Sequence, residues 1–289
     1  MKNMLYKFSS IIQKVDLWNK MKKILPTFLF KAIWYLYAYT MCIFSWERKF
    51  LKKNKELKWI AKGKRAFILA TWPSIKKENL KLLEWEDCFS VSNFFLHDDI
   101  EIINPKFQFF IPFHRPLILE NYIEWLKLAD NTLPKNTNIV LWSGIRNIVE
   151  ENGLFKWRKV FYLYLKHYIN FSSNITFPIY HPATWPQMII PVLMYMWYKE
   201  IYLLWCDHNT LRDYWWERKD FYDTKKDVRK NAKIWSSFID FLENQLLMFK
   251  DYEKIKKIAK KKWIKIINLS EDSRLECFKK DTLKNIINK

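Results

Sequence analysis

Short apolar runs alternate with stretches of helical periodicity from residue 65 onward. Apolar runs bounded by turn residues indicate buried strands, and they occur at 65–71, 88–91, 107–111, 138–141, 159–163, 200–204 and 264–268. Apolar residues three and four positions apart indicate helices at 76–83, 120–129, 145–151, 185–196, 230–249 and 252–261. Strands that alternate with helices at this spacing predict an α/β fold with a doubly wound, mostly parallel sheet.

Residues 1–60 differ from the rest of the chain, because they combine helical periodicity with many basic and aromatic residues and show no strand pattern. We therefore divide the chain into a helical N-terminal extension, 1–60, and an α/β domain, 61–289. Residues 25–46 of the extension are almost continuously apolar, with Lys31 as their charged residue and basic residues on both sides. A helix of about 20 apolar residues can span a bilayer. The segment therefore spans a membrane, lies in its interface or packs on the domain, and Lys31 favours the last two.

Composition adds a strong positive charge, +20 at pH 7. The lysines are scattered and accompany no nucleic-acid-binding motif, so we expect no nucleic-acid partner. A basic surface still attracts phosphate-bearing small molecules and anionic membranes. The 4 cysteines are widely spaced, which favours a reducing compartment over a disulfide framework or a zinc ribbon. We recognise no cleavable signal peptide, and we expect a cytoplasmic protein, at the inner face of the cell membrane if the extension contacts lipid.

The chain contains 16 tryptophans and 3 glycines, whereas an average chain of this length has roughly 20 glycines. Several tryptophans stand where glycine is expected: Trp72 follows a predicted strand, Trp197 and Trp263 follow predicted helices, and Trp205 ends a strand. Tryptophan does not readily adopt the positive φ that glycine supplies at caps and tight turns. UGA encodes tryptophan in one genetic code and glycine in another, so we predict that many of these positions are glycine. The alternative is a protein that is truly rich in tryptophan, and TGG codons at these positions would establish it.

The first candidate site is the run Thr71, Trp72, Pro73 and Ser74 directly after the first predicted strand. With glycine at 72, the run forms a tight turn whose backbone N–H groups are exposed at a helix start. Such a turn binds phosphate. Ser74 is also a suitable N-cap for the following helix, and the two roles are compatible.

Two further loops carry candidate residues. Asn93 follows the second predicted strand and suits a hydrogen bond to a ribose or a base, while Asp98 and Asp99 come shortly after it. These carboxylates form either a divalent-metal site or an acidic turn, and we favour the turn. Thr184 and Trp185 precede the hydrophobic helix at 185–196, whose N-terminus is an anion or ribose contact if position 185 is glycine.

Asp207 and His208 follow the predicted strand 200–204. Doubly wound sheets bind ligands beyond the carboxyl ends of their strands. An adjacent acid and imidazole at such an end can orient a substrate hydroxyl and remove its proton. The alternative is that Asp207 caps the loop and His208 merely lines it. The chain has no P-loop, zinc-protease or serine-hydrolase motif.

The run 71–74 resembles the [N/T]-G-P-S motif of bacterial CMP-sialic-acid-dependent sialyltransferases of the type that decorates lipooligosaccharide. The segment WYKEIYLLWCD at 197–207 resembles their G-Y-K-E-I-Y-L-x-G-x-D segment. MptE-like (6-hydroxymethylpterin diphosphokinase-like) domains share the G-P-S turn and a Rossmann-type core. The resemblance covers about residues 64–275 and requires glycine at 72, 197 and 205. It implies that 61–289 is a Rossmann-like, nucleotide-binding catalytic domain.

The resemblance also implies roles for individual residues. The nucleotide-binding and donor-side positions are Thr71, Trp72, Pro73, Ser74, Asn93, Thr184 and Trp185, and Asp207 belongs to the strand-end motif. The sialyltransferases use a histidine in a lid-like segment after this strand as the base, whereas this chain has Asp220-Phe221-Tyr222 there. His208 or Asp220 would serve as the base instead, with Tyr222 contacting the phosphate.

The function implied by the resemblance is that of a glycosyltransferase, which moves a sugar from a nucleotide-activated donor to a surface-glycan or lipid-linked acceptor without a cofactor. One alternative is an MptE-like diphosphokinase, which needs Mg²⁺ and would use Asp98 and Asp99. Sensitivity to EDTA separates these two. Another alternative is a non-catalytic nucleotide-sugar-binding protein of polysaccharide assembly, which binds its ligand without turnover.

Overall fold

The computed structural model describes residues 21, 23–45, 47–71, 75, 78–113, 117–209, 211 and 237–288. The strands are β1 Arg65–Leu69, β2 Cys88–Val91, β3 Phe107–Phe109, β4 Asn138–Trp142, β5 Val160–Leu163, β6 Leu165–Lys166, β7 Ile179–Tyr180, β8 Glu200–Leu204, β9 Lys265–Asn268 and β10 Lys279–Lys280. The α-helices are α1 Thr27–Phe44, α2 Glu47–Lys53, α3 Ile100–Ile103, α4 Leu119–Thr132, α5 Arg146–Glu151, α6 Trp185–Met196, α7 Phe238–Lys261 and α8 Leu283–Ile287.

The central sheet has 8 strands in the order β10-β9-β8-β1-β2-β3-β4-β5. Every pair of neighbouring strands in it is parallel. The chain builds one side of the sheet from β1 to β5 and then returns to the other side of β1 with β8, β9 and β10. This order confirms the predicted doubly wound, Rossmann-like α/β fold with a helical N-terminal extension. Strands β6 and β7 form a separate two-stranded parallel pair.

Both faces of the sheet are buried, because successive side chains of each strand pack into different cores. Ala66 and Ile68 of β1 contribute to the core that also contains residues of α6 and α7. Phe67 and Leu69 contribute to the opposite core, which contains residues of α4 and α8. The apolar runs of the sequence are continuous for this reason, since a strand covered on both faces has no polar side.

The N-terminal extension contacts the α/β domain. The rings of Phe30 and Trp34 on α1 lie 5.4 and 5.9 Å from the ring of Tyr168. After α2, the side-chain amide of Asn54 donates to the carbonyl oxygens of Tyr162 at 2.8 Å and Ile175 at 2.7 Å. Within the part of the chain that the structure describes, α1 is the one helix long and apolar enough to cross a membrane. Most of its residues are not buried.

The structure differs from the predicted elements in two helices. α7 is continuous where we predicted separate helices at 230–249 and 252–261, of which 230–236 lie outside the described residues. The charged pair Lys250 and Asp251 interrupts the apolar pattern without breaking the helix. Buried Asp251 accepts a hydrogen bond from the hydroxyl of Tyr180 and pairs with Lys254, both at 2.8 Å. Of the predicted helix 76–83, the structure has a 3₁₀ turn at Leu80–Leu83, and 76–77 are not described.

Candidate functional site

Buried polar residues follow β8 at the carboxyl edge of the sheet. Leu69 of β1 and Leu204 of β8 are register partners, and the direction in which the strands are added reverses between these two strands. Ligands of doubly wound sheets bind beside such a reversal, beyond the carboxyl ends of the strands. Asp207, His208 and Asn209 lie at this edge, and all three are buried.

The loop after β9 fixes the loop after β8. The Cys206 N–H donates to Ser270 Oγ at 2.9 Å, and the Ser273 hydroxyl donates to the Cys206 carbonyl at 2.6 Å. The Arg274 N–H donates to the Asp207 carbonyl at 2.9 Å. These bonds satisfy buried backbone groups that strand pairing no longer satisfies. The backbone that presents Asp207 is thereby held in one position.

Tyr252 of α7 connects two of the predicted site loops. Its hydroxyl lies 3.0 Å from His208 Nε2 and 3.3 Å from Thr184 Oγ1. Burial lowers the pKa of His208 to about 3 and raises the pKa of Tyr252 well above its usual range. At pH 7 the imidazole is therefore neutral and the phenol protonated. In this arrangement His208 is a weak base whose Nε2 is engaged by a protein hydroxyl.

Thr184 and Trp185 lie at the N-terminus of α6. The Thr184 N–H donates to Gln187 Oε1 at 3.2 Å, and Gln187 Nε2 donates to the Met248 carbonyl on α7 at 2.7 Å. Trp185 is half-buried at the first helical position and does not have positive φ. The start of α6 is thus tied to α7 on the side where His208 lies.

Asn93 lies in a 3₁₀ turn directly after β2 and is fully buried. Its Oδ1 accepts a hydrogen bond from Trp125 Nε1 at 2.6 Å. The side chain therefore has a structural role between the turn and α4, because it satisfies a buried indole N–H. Its contact with a nucleotide stays a prediction.

Asp98 and Asp99 form a turn before α3. Asp98 is exposed, and the Asp99 N–H donates to His97 Nδ1 at 3.1 Å. Among the residues with described positions, no group of three or more histidine, cysteine, aspartate or glutamate side chains is placed to hold a metal ion. Whether these carboxylates bind a divalent metal stays a prediction.

Thr71 is half-buried and follows β1 at the same edge. The rest of the predicted phosphate turn, Trp72, Pro73 and Ser74, lies outside the described residues, as do Asp220 and Tyr222 of the predicted lid-like segment. Their proposed roles stay predictions.

Trp205 occupies the position between β8 and the polar loop. Its φ is 56° and its side chain is 2% exposed. The indole stacks on Phe94, with ring centroids 6.1 Å apart and an interplanar angle of 17°. A large ring thus fills the space beside the strand end at which the resemblance requires glycine.

Sequence reasoning missed Tyr252, Ser270 and Ser273. The serines had a signal in the sequence, because the polar run Ser270-Glu271-Asp272-Ser273 follows the predicted strand 264–268 in the same way as Asp207 and His208 follow the strand 200–204. Tyr252 had none, since an aromatic residue inside a helical pattern is typical of core packing.

Comparison of the chain with protein-family models gives no match, and comparison with curated proteins gives no match. The fold itself is Rossmann-like by its strand order and parallel pairing.

Proposed function

We propose that the chain is a glycosyltransferase that moves a sugar from a nucleotide-activated donor to an acceptor hydroxyl on a surface glycan or a lipid-linked glycan. The observation that carries this proposal is the buried polar loop 206–209 at the reversal of a fully parallel sheet. A neighbouring loop fixes its backbone, and Tyr252 joins it to the start of α6. Fixed polar groups at this edge are what recognition of a nucleotide sugar requires.

The reaction is a single displacement. The acceptor oxygen attacks the anomeric carbon, the bond from that carbon to the phosphate oxygen breaks, and the nucleotide leaves with the electron pair. The acceptor proton passes to a base, for which His208 and Asp220 are the candidates. His208 can accept this proton only when the acceptor hydroxyl replaces the Tyr252 hydroxyl at Nε2. The positive charge of the protein and the N–H groups at the start of α6 favour the leaving phosphate.

We also propose that the protein is cytoplasmic and that α1 rests on the inner face of the cell membrane. Its outward residues Phe28, Leu36, Ile43 and Phe44 are exposed large apolar side chains. Basic residues flank the helix, and such residues attract anionic lipids. A lipid-linked acceptor would then diffuse in the same plane as the enzyme.

The test is a transfer assay with the purified full chain in two forms, as printed and with glycine at 72, 197 and 205. CMP-sialic acid and UDP-sugars are offered, and release of the nucleotide and labelling of a glycan acceptor are measured. Transfer that resists EDTA and is strongly reduced in Asp207→Asn supports the proposal. Activity that requires Mg²⁺ and ATP instead identifies the diphosphokinase alternative.

One observation favours a second candidate, a non-catalytic nucleotide-sugar-binding protein. His208 is buried and has a pKa near 3, which suits a structural role. Calorimetric binding of CMP or a nucleotide sugar without turnover, and unchanged binding in His208→Ala, would establish this candidate. Absence of both binding and turnover in the glycine form would contradict both.

A further inference from the structure

We propose that positions 59, 85, 197, 205 and 263 are glycine in the protein as its own organism makes it, and that UGA is the codon at each of them. The sequence pointed to 197, 205 and 263, and the backbone adds 59 and 85. The assignment does not depend on the proposed function.

The backbone conformation of these positions is the main argument. Trp59, Trp85, Trp197, Trp205 and Trp263 all have φ between 56° and 75°. For a bulky side chain such φ values are outliers, because the Cβ atom approaches the backbone too closely. Among the described residues, Gly63 and Gly153 are the glycines with positive φ. Five of the ten non-glycine residues with positive φ in the described chain are therefore tryptophan, and the other five are Ser92, Asn104, Phe155, Tyr168 and His208.

Trp197 and Trp263 end helices in the same way. After α6, the Tyr198 N–H donates to the Leu193 carbonyl at 3.1 Å and the Trp197 N–H to the Met194 carbonyl at 3.3 Å. After α7, the N–H groups of residues 264 and 263 donate to the carbonyls of 259 and 260 at 3.0 and 3.2 Å. This pair of bonds defines the Schellman motif, in which the left-handed residue is usually glycine. Both helices therefore end where glycine is the expected residue.

The surface tryptophans in this set contribute little burial. Trp85 is 93% exposed and Trp263 is 87% exposed. Trp59 and Trp197 are 56% and 38% exposed. Their rings contact each other, with centroids 6.0 Å apart, and each ring also lies beneath a lysine, Lys58 at 4.1 Å and Lys199 at 4.8 Å. Replacement of the side chains at 85 and 263 by hydrogen relieves the backbone and uncovers little of the core.

Other tryptophans show the opposite features, and the proposal leaves them as tryptophan. Trp125 is fully buried, has no positive φ and donates its indole N–H to Asn93 at 2.6 Å. Trp34 lies inside α1 and its ring contacts Tyr168 at 5.9 Å. Glycine at 34 has no support from the backbone, because Trp34 does not have positive φ. The left-handed positions and the ordinary ones are thus separated by backbone conformation.

At position 205 the exchange also changes the site. Glycine there removes the indole that stacks on Phe94 and leaves a space of about the size of that ring beside the end of β8. Such a space accepts a planar ring such as a nucleobase. This consequence, unlike the glycine assignment, rests on the proposed function. If Trp205→Gly fails to bind CMP, the proposed nucleotide site beside β8 is wrong. The assignment of glycine at 205 is then still decided by the codon.

The decisive experiment sequences the gene from the native cells and measures the peptide masses of the native protein. Genomic DNA is expected to show TGA at the five positions and TGG at 125. Tryptic peptides of the native protein are expected to have masses with glycine at 197 and 263. TGG at these positions, or tryptophan in the native peptides, would overturn the proposal.

A second experiment tests the physical reason. Full chains are made as printed and with glycine at 59, 85, 197 and 263, and their melting temperatures are compared. We expect the glycine form to melt higher by about 2–4 °C. The matched control is Trp157→Gly, because Trp157 is 96% exposed and does not have positive φ; this control should gain nothing. A glycine form that melts at or below the printed chain, or a control that gains as much, would overturn the backbone argument.

Discussion

Two buried tryptophans of the same size offer a direct test of the strain at Trp205. Trp205 and Trp125 are both nearly inaccessible, at 2% and 0% exposure. Their backbones differ, because of the two only Trp205 has positive φ. Their polar contacts also differ, because the indole N–H of Trp125 donates a hydrogen bond to Asn93 Oδ1. The perturbation is the pair of variants Trp205→Gly and Trp125→Gly, each made in the full chain.

The expected losses of unfolding free energy follow from the contacts. Removal of either ring leaves a cavity that costs about 3–5 kcal/mol. At 125, Asn93 Oδ1 loses the hydrogen bond from the indole N–H, which adds about 1 kcal/mol, and glycine inside α4 adds about 1 kcal/mol. At 205, glycine relieves the strain of the left-handed backbone, which raises the unfolding free energy by about 1–2 kcal/mol. Glycine also makes the unfolded chain more flexible, which lowers the unfolding free energy by about 0.4–1 kcal/mol. Trp205→Gly should therefore lose less than Trp125→Gly by at least about 2 kcal/mol.

The assay is urea unfolding followed by circular dichroism, with thermal melting in the presence and absence of indole. Added indole should raise the melting temperature of Trp205→Gly, because a dry apolar cavity binds a ring of matching shape. Failure of Trp125→Gly to fold agrees with its larger loss. A Trp205→Gly variant that loses as much as Trp125→Gly, or fails to fold while Trp125→Gly folds, would refute the argument that the left-handed backbone is strained.

Further predictions concern the loops, the buried histidine and α1. Ser273→Ala removes the hydrogen bond to the Cys206 carbonyl and should lower the unfolding free energy by about 1–3 kcal/mol in urea; a loss under about 0.5 kcal/mol would argue against a fixed loop. Burial lowers the His208 pKa from 6.5 to about 3, so its contribution to stability is complete above pH 6.5 and is lost as the pH falls, by about 1 kcal/mol per unit. His208→Gln should lack this part of the slope, and an unchanged slope would contradict the burial. Phe28→Ser combined with Leu36→Ser should reduce co-sedimentation with anionic vesicles; equal binding by the variant, or equal binding to neutral vesicles, would count against the proposed membrane contact.

The sequence predicted the sheet well, because its strands are covered on both faces. A continuous apolar run of four to eight residues between turns then indicates a buried strand, and β2, β8 and α6 have the predicted bounds. β6, β7 and β10 were not predicted, since each has two residues in the structure and two residues carry no periodicity. Their pairing depends on neighbouring strands rather than on their own composition.

The candidate site was predicted only in part. Asp207 and His208 could be found because they directly follow a strand, and strand ends carry ligands in this fold. Tyr252 could not be found, because its contacts with His208 and Thr184 depend on how α7 packs across the sheet. Trp85 gave no signal either, since no helix or strand pattern around it requires a positive φ. Conformation of this kind becomes visible only in three dimensions.

The position of Trp59 ahead of β1 has a practical consequence for making this protein in the laboratory. If that codon is UGA, an expression host that reads it as a stop releases a short peptide without a single strand of the sheet. A host that inserts tryptophan yields a full-length chain in which the left-handed residues after α6 and α7 are strained, so that these helix ends form less readily. Insoluble material from either host would then report on how the codon was read rather than on the protein itself, and a synthetic gene with GGN triplets is the proper starting material.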